Sequence, residues 1–177
     1  MSAERPEATA NAITVRRART GDVPAVRHLL DAYARERILL DKATVTLYEH
    51  IQEFWVAERG DSAEVVACGA LHVMWEDLAE VRTLAVKPGL KGAGVGHLLL
   101  EKLLETARLL GVRRVFCLTF EVDFFVKHGF VEIGEVPVDP DVYAELLRSY
   151  DEGVAEFLGL ERVKPNTLGN SRMLLHL

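Results

Sequence analysis

Two periodicities divide the chain. Alternating or continuous apolar runs rich in β-branched residues predict strands over 13–19, 54–58, 64–75, 80–86 and 114–119. Apolar residues three and four apart predict helices. Val23, Val26, Leu29, Leu30 and Tyr33 form the buried stripe of one helix that runs to about residue 37. Leu99, Leu103 and Leu110 form the stripe of a longer helix over 94–110, with Leu100, Leu104 and Ala107 beside it. Glu101, Lys102, Glu105 and Arg108 take its polar side. Shorter helices are expected over 44–52, 121–128 and 141–158, the last with a weak spot at Gly153, and strands over 129–133 and 170–177.

Punctuation supports these boundaries. Thr20 or Asp22 can cap the first helix, with Pro24 in its first turn. Gly60-Asp61 reads as a hairpin turn, and Gly111 stops the long helix. Pro137 and Pro140 break the chain late. Residues 64–75 are apolar on both faces in their first half, as a central strand must be. The strand–helix–strand succession across 80–119 requires a parallel, right-handed crossover. The order β-α-α-β-β-β-α-β-α-β-α-β predicts one α/β (mixed α+β) domain over 12–177, behind a polar, flexible tail at 1–11.

Composition narrows the class. At 177 residues and 49% hydrophobic, the chain can bury a sizeable core. A net charge of -6 argues against a nucleic-acid partner. Cys68 and Cys117 sit in apolar runs and read as free buried thiols of a reducing compartment. Six scattered histidines give no metal site. No apolar stretch reaches membrane-spanning length and no signal-peptide core opens the chain, so a cytoplasmic location is expected.

The chemistry concentrates between the strand at 80–86 and the long helix. Lys91-Gly92-Ala93-Gly94-Val95-Gly96 is a glycine-rich loop opening a helix. Backbone N–H groups there can approach an anion, and the helix start adds partial positive charge. Glycine content alone fits an ordinary tight turn equally well. A nucleotide P-loop is excluded because no GxxxxGK[ST] occurs, and the dinucleotide fingerprint fails on spacing.

The spacing Val86-Lys-Pro88-x-x-Lys91-x-x-Gly94-x-Gly96 resembles the acetyl-CoA motif of the GCN5-related N-acetyltransferases (GNAT), with Lys91 where that family usually has Gln or Arg. The element order resembles the same fold: a mixed, mostly antiparallel sheet whose parallel strands at 80–86 and 114–119 splay apart, with flanking helices. The resemblance implies acetyl-CoA as co-substrate. Leu84, Ala85, Val86, Lys91, Gly92, Ala93, Gly94, Val95, Gly96 and Phe124 would be its binding residues. It also implies Glu80 as general base, the Leu84 amide as oxyanion donor, and Thr119 as a weak substitute for a proton donor. Phe125 stands where the family's tyrosine acid is common.

Residues 37–42, 54–58, 68–71, 79–86, 115–119 and 124–130 look most like the acetyltransferase domain of N-acetylglutamate synthases. That implies transfer of acetyl to the α-amino group of glutamate, opening arginine biosynthesis. Leu39, Lys42, Arg82, Ser171 and Arg172 would hold the amino acid, with Arg148-Ser149 as another alignment of the last pair. One basic group of the late segment is Gly169 here and Asp41 lies nearby, so glutamine stands beside glutamate. Other readings are the same fold acting on another small amine, and a non-catalytic acetyl-CoA-binding module. The fold commonly dimerises, so a homodimer is an expectation. No metal, nucleic acid or membrane partner is expected.

Overall fold

The computed structural model describes residues 12–35, 42–60, 62–135, 137–160 and 170–177. The expected tail at 1–11, Leu39, Asp41, Asp61 and Gly169 lie outside them. Seven strands form one mixed sheet: β1 (Ile13–Arg17), β2 (Phe54–Arg59), β3 (Glu64–Trp75), β4 (Leu78–Val86), β5 (Arg114–Thr119), β6 (Val131–Glu132) and β7 (Ser171–His176), in the spatial order β1-β2-β3-β4-β5-β7-β6. The helices are α1 (Val23–Arg35), α2 (Thr44–Glu49), α3 (Val95–Leu109), α4 (Val122–Val126), α5 (Pro140–Leu146) and α6 (Glu152–Leu158). This is the expected mixed α/β architecture. β4 and β5 are parallel, as the crossover requires, and their ladder covers only Leu78–Glu80 against Arg114–Phe116. Beyond Glu80 the two strands no longer pair, which is the expected splay.

The chain divides into two compact units. One holds the described residues up to Leu71 together with Thr83–Glu105, and the other holds His72–Arg82 with the described residues from Thr106 on. β3, β4 and α3 each run through both.

In the first unit the sheet carries apolar side chains on both faces. Val56, Cys68 and Ala85 pack with the predicted α1 stripe, which is buried throughout. Ala57, Val66, Ala67, Val95 and Leu99 pack with Leu84 and Val86 in a second cluster. Adjacent residues point to opposite faces in a regular strand. Val66 and Ala67 share a cluster because the β2–β3 register shifts between Ala57 and Glu58, a bulge that inserts one residue. Gly69 lets the leucines meet the sheet: a Cβ there would lie 2.9 Å from Leu84 Cδ1 and 3.1 Å from Leu103 Cδ1.

In the second unit Leu78, Phe116 and Leu174 of the sheet pack against Leu146, Val154, Phe157 and Leu158 of α5 and α6. Phe116 and Phe157 meet edge to face, centroids 4.8 Å apart.

Several boundaries differ from the sequence expectation. Residues 141–158 form two helices, and the break falls at Leu147–Asp151 rather than at Gly153, which lies inside α6. Asp151 caps α6, its carboxylate accepting from the Val154 amide at 3.0 Å, so the second helix has its own start signal. Residues 20–22 form a 3₁₀ turn, and Asp22 accepts from the Arg19 amide at 2.7 Å instead of capping α1 directly. Leu110 lies beyond the end of α3 and is exposed, so it does not extend the stripe. Strand 129–133 shortens to Val131–Glu132, because Gly129 takes a left-handed turn (φ 89°).

Candidate active site

β4 is regular until Thr83. Glu80 and Arg82, two apart, share one face as period 2 dictates, and both are buried. Thr83 then adopts φ 61°, a left-handed conformation that is a genuine outlier for a β-branched residue. Its buried hydroxyl has no hydrogen-bond partner among the described residues. Two unfavourable features at one residue, each of order 1–3 kcal/mol, persist only where surrounding structure enforces them. They fall three residues past Glu80, the last residue of β4 paired with β5. Nothing in the sequence signals this residue. Leu84 follows this left-handed residue, and its side chain packs over Gly69.

The glycine-rich loop lies in the first unit. Gly89, Gly92 and Gly94 have φ of 91°, 84° and 83°. A Cβ on any of the three would meet nothing within 4 Å, so conformation rather than space demands glycine. Turn bonds from the Leu90 amide to the Lys87 carbonyl (3.0 Å) and from the Ala93 amide to the Leu90 carbonyl (3.2 Å) fix the loop. The first helical bond of α3 runs from the Leu98 amide to the Gly94 carbonyl at 3.2 Å. Amides ahead of Leu98 in α3 have no carbonyl four residues back within the helix, so they present donors and partial positive charge. The Lys91 ammonium stands 5.1 Å from the Tyr33 ring centroid. The Tyr33 hydroxyl in turn donates to the Val86 carbonyl, occupying one acceptor of the residue expected to meet acetyl-CoA. Ala85 is core. The loop thus fits a diphosphate by backbone, with one cation at its lip.

The second unit holds an ionic cluster. Arg82 Nε and Nη2 donate to Glu80 Oε2 at 3.0 and 2.5 Å. Arg82 Nη1 and Nη2 donate to Asp151 Oδ2 and Oδ1 at 2.9 and 2.8 Å. Glu80 Oε1 accepts no hydrogen bond among the described residues. His72 Nε2 stands 3.8 Å from Asp151 Oδ2. Burial pushes the Asp151 carboxyl up, but the Arg82 hydrogen bonds and charge, the His72 charge and the Val154 amide outweigh it and hold it well below its usual range. Burial and then the nearby Glu80 charge push the Cys117 thiol well up, so it is no nucleophile. Burial likewise pushes Cys68 up to about 12. Gly153 makes the cluster fit: a Cβ there would lie 2.6 Å from Glu80 Oε2 and 2.9 Å from Arg82 Cζ.

Arg82 is therefore held by two carboxylates, not left as a lone cation for a substrate. Asp151, Gly153 and His72 were missed by sequence reasoning, because the ion pair joins residues 69 positions apart. Arg172 also has a local partner. Its Nη2 donates to the Glu156 carbonyl at 3.1 Å, near the end of α6, where a cation complements the helix dipole. Ser171 pairs with Thr119 in the β5–β7 ladder. The Thr119 hydroxyl accepts from the Glu121 amide at 2.8 Å, so its own proton is left to donate elsewhere. Phe124 stacks near Phe125 (centroids 5.1 Å) and His128 (5.4 Å). The Lys42 carbonyl accepts from Arg27 in the first unit. Arg148 pairs with Glu145 on the surface, and the Ser149 hydroxyl accepts from the Asp151 amide. Among the described residues no group of three or more His, Cys, Asp or Glu side chains could hold a metal ion. No helix among the described residues is long and apolar enough to cross a membrane.

Comparison with known proteins agrees with this geometry. The Acetyltransferase (GNAT) family profile matches residues 23–130. An amino-acid acetyltransferase of Mycobacterium tuberculosis is 60% identical over 162 residues, covering 91% of this chain and 92% of its own length. A crystal structure of an M. tuberculosis protein in complex with CoA and NLQ superposes with TM-score 0.89 at 60% identity, covering 93% of this chain and 99% of that one. An amino-acid acetyltransferase of Neisseria meningitidis is 31% identical over 70% of this chain, which spans only 28% of that relative's length. An N-acetylglutamate synthase of Neisseria gonorrhoeae shares the fold, with TM-score 0.74 at 23% identity over 94% of this chain and 35% of its own. The glycine loop, the splayed parallel strands and these relatives agree that the chain belongs to the GNAT family of acetyltransferases.

Proposed function

We propose that the protein transfers acetyl from acetyl-CoA to the α-amino group of an amino acid, with L-glutamate as acceptor and L-glutamine as the alternative. The observation that carries this reading is Glu80, a buried carboxylate on the strand leading into the glycine loop, with Oε2 bound to Arg82 and no bond to Oε1 among the described residues. The relatives named amino-acid acetyltransferases support the acceptor class.

The amine arrives protonated, because its pKa is about 8 or above, and removing that proton at pH 7 costs at least about 1.4 kcal/mol. Glu80 Oε1 takes the proton, directly or through one water. The nitrogen lone pair then attacks the thioester carbonyl carbon, and the Leu84 amide donates to the oxyanion. The carbon–sulfur bond breaks, and the second nitrogen proton passes to the departing thiolate or to water. The Thr119 hydroxyl can donate to the sulfur, although a thiolate of pKa about 8.5 leaves without one. The amides and dipole of α3, with Lys91, hold the diphosphate. Leu39, Lys42, Ser171 and Arg172 are the acceptor residues in this reading.

Glutamine gains from one feature: the Arg82 charge is balanced by Glu80 and Asp151. A side-chain carboxylate would itself be a third negative group there, whereas an amide would not. Thiol release from acetyl-CoA, measured over a panel of amino acids and polyamines, tests the proposal. We expect turnover with glutamate or glutamine, and a rise of about tenfold in acceptor KM in Lys42→Ala. Release with neither amino acid would overturn it, as would a preference for polyamines. Assignment to the first step of arginine biosynthesis follows from glutamate being the better substrate.

A further inference from the structure

We propose that Asp151 is a positioning residue for the transfer reaction, setting the base strength of Glu80 through Arg82. The inference rests on Glu80 being the base. Asp151 does not touch Oε1, the oxygen left to take the proton. It takes two hydrogen bonds of Arg82 at 2.9 and 2.8 Å, while Glu80 takes two on Oε2. One buried guanidinium thus serves two carboxylates, and the three groups together carry one excess negative charge. Arg82 stays charged at every working pH. Asp151 also keeps its charge, through the Arg82 contacts and the cap it forms on α6. Two carboxylates therefore share one guanidinium, and Arg82 does not neutralise Glu80 alone, which favours a proton arriving at this cluster. Were Arg82 paired with Glu80 alone, the full guanidinium charge would stabilise the carboxylate and weaken it as a base.

The surroundings are built for this sharing. Asp151 is held from three sides: by Arg82, by the Val154 amide, and through its own amide by the Ser149 hydroxyl at 3.1 Å. Gly153 brings the first turn of α6 against Glu80 Oε2 and Arg82 Cζ, where any side chain would force them apart. Arg82 on β4, His72 on β3, Asp151 at α6 and Cys117 on β5 are the titratable or charged groups around Glu80 and Asp151. His72 stands 3.8 Å from Asp151 Oδ2, so its contribution is separated by substitution.

Asp151→Asn tests this, since asparagine caps a helix as well as aspartate and keeps one oxygen to accept from Arg82, but carries no charge. Loss of the charge favours ionised Glu80, so the acid limb of kcat/KM should move down by about one pH unit. On the plateau kcat should fall about fivefold or more while acetyl-CoA KM holds. The shift should persist in the His72→Gln background. An unmoved limb with unchanged kcat overturns the proposal, and so does a limb shift that vanishes with His72. Should Asp151→Asn fail to fold, Asp151→Ser keeps the cap without the carboxylate and is judged by the same limb. A wild-type enzyme that acetylates no amino acid would overturn the functional reading instead, and an unaltered profile in Glu80→Gln would remove the base itself.

Discussion

Gly153 shows how much a single missing carbon can decide. In the sequence it looks like a flaw in a helix, where glycine costs about 1 kcal/mol relative to alanine. In the fold its absent side chain is what lets α6 close over the Glu80–Arg82 pair. Replacing it with alanine sets that helix gain against a methyl forced into a buried, four-bond ionic cluster. Overpacking of this kind costs about 1–3 kcal/mol, so the clash wins. Gly153→Ala is expected to lower the melting temperature and to reduce kcat by about tenfold, since Glu80 must shift. A variant that melts higher and turns over normally would show that the close approach is unimportant. Thr83 is the converse case, a residue whose type gives no hint of its left-handed backbone or its orphan hydroxyl.

At the level of elements, the turn from β4 into α3 combines local and non-local causes. Its glycine positions are set by backbone angle alone, so they were legible from spacing. Alanine at Gly92 or Gly94 must hold φ near 84° or 83°, which costs roughly 1–2 kcal/mol for an L-residue. We expect each substitution to raise acetyl-CoA KM about tenfold with little change in kcat, because the diphosphate contacts lie far from the reacting carbon. Unchanged KM in both variants would remove the loop from the binding site. The bulge in β3 and the left-handed Thr83 in β4 were not legible, because alternation along a strand records neither an inserted residue nor a single backbone angle. The two late helices were read as one because their apolar positions stay in phase across the break.

For the molecule as a whole, acid sensitivity follows from two ion pairs, one in each unit. Hydrogen bonds to Arg16 hold Asp22 below its usual range, against the opposing effect of burial. Arg82 holds Asp151 lower still, overcoming burial. Both carboxyls are more acidic folded than unfolded. Their contribution is therefore complete above the unfolded value of about 3.9 and is lost as pH falls from there through the folded values. Melting temperature should drop as pH falls below about 4, and the drop should shrink in Asp22→Asn and Asp151→Asn. An equal drop in all three proteins would mean that other groups govern acid unfolding.

The pattern of apolar positions determined the strands, the amphipathic α1 and α3 and the parallel crossover, and the spacing of glycines marked the loop between β4 and α3. Each depends on residues within one or two elements of each other, where period and backbone angle are written directly. The cluster around Glu80 was decided only in three dimensions. Arg82 looked like a lone cation until folding brought Asp151 and Gly153 to it, across 69 positions of chain that share no periodicity with β4. Charge on a side chain is local, but which opposite charge neutralises it is settled by packing.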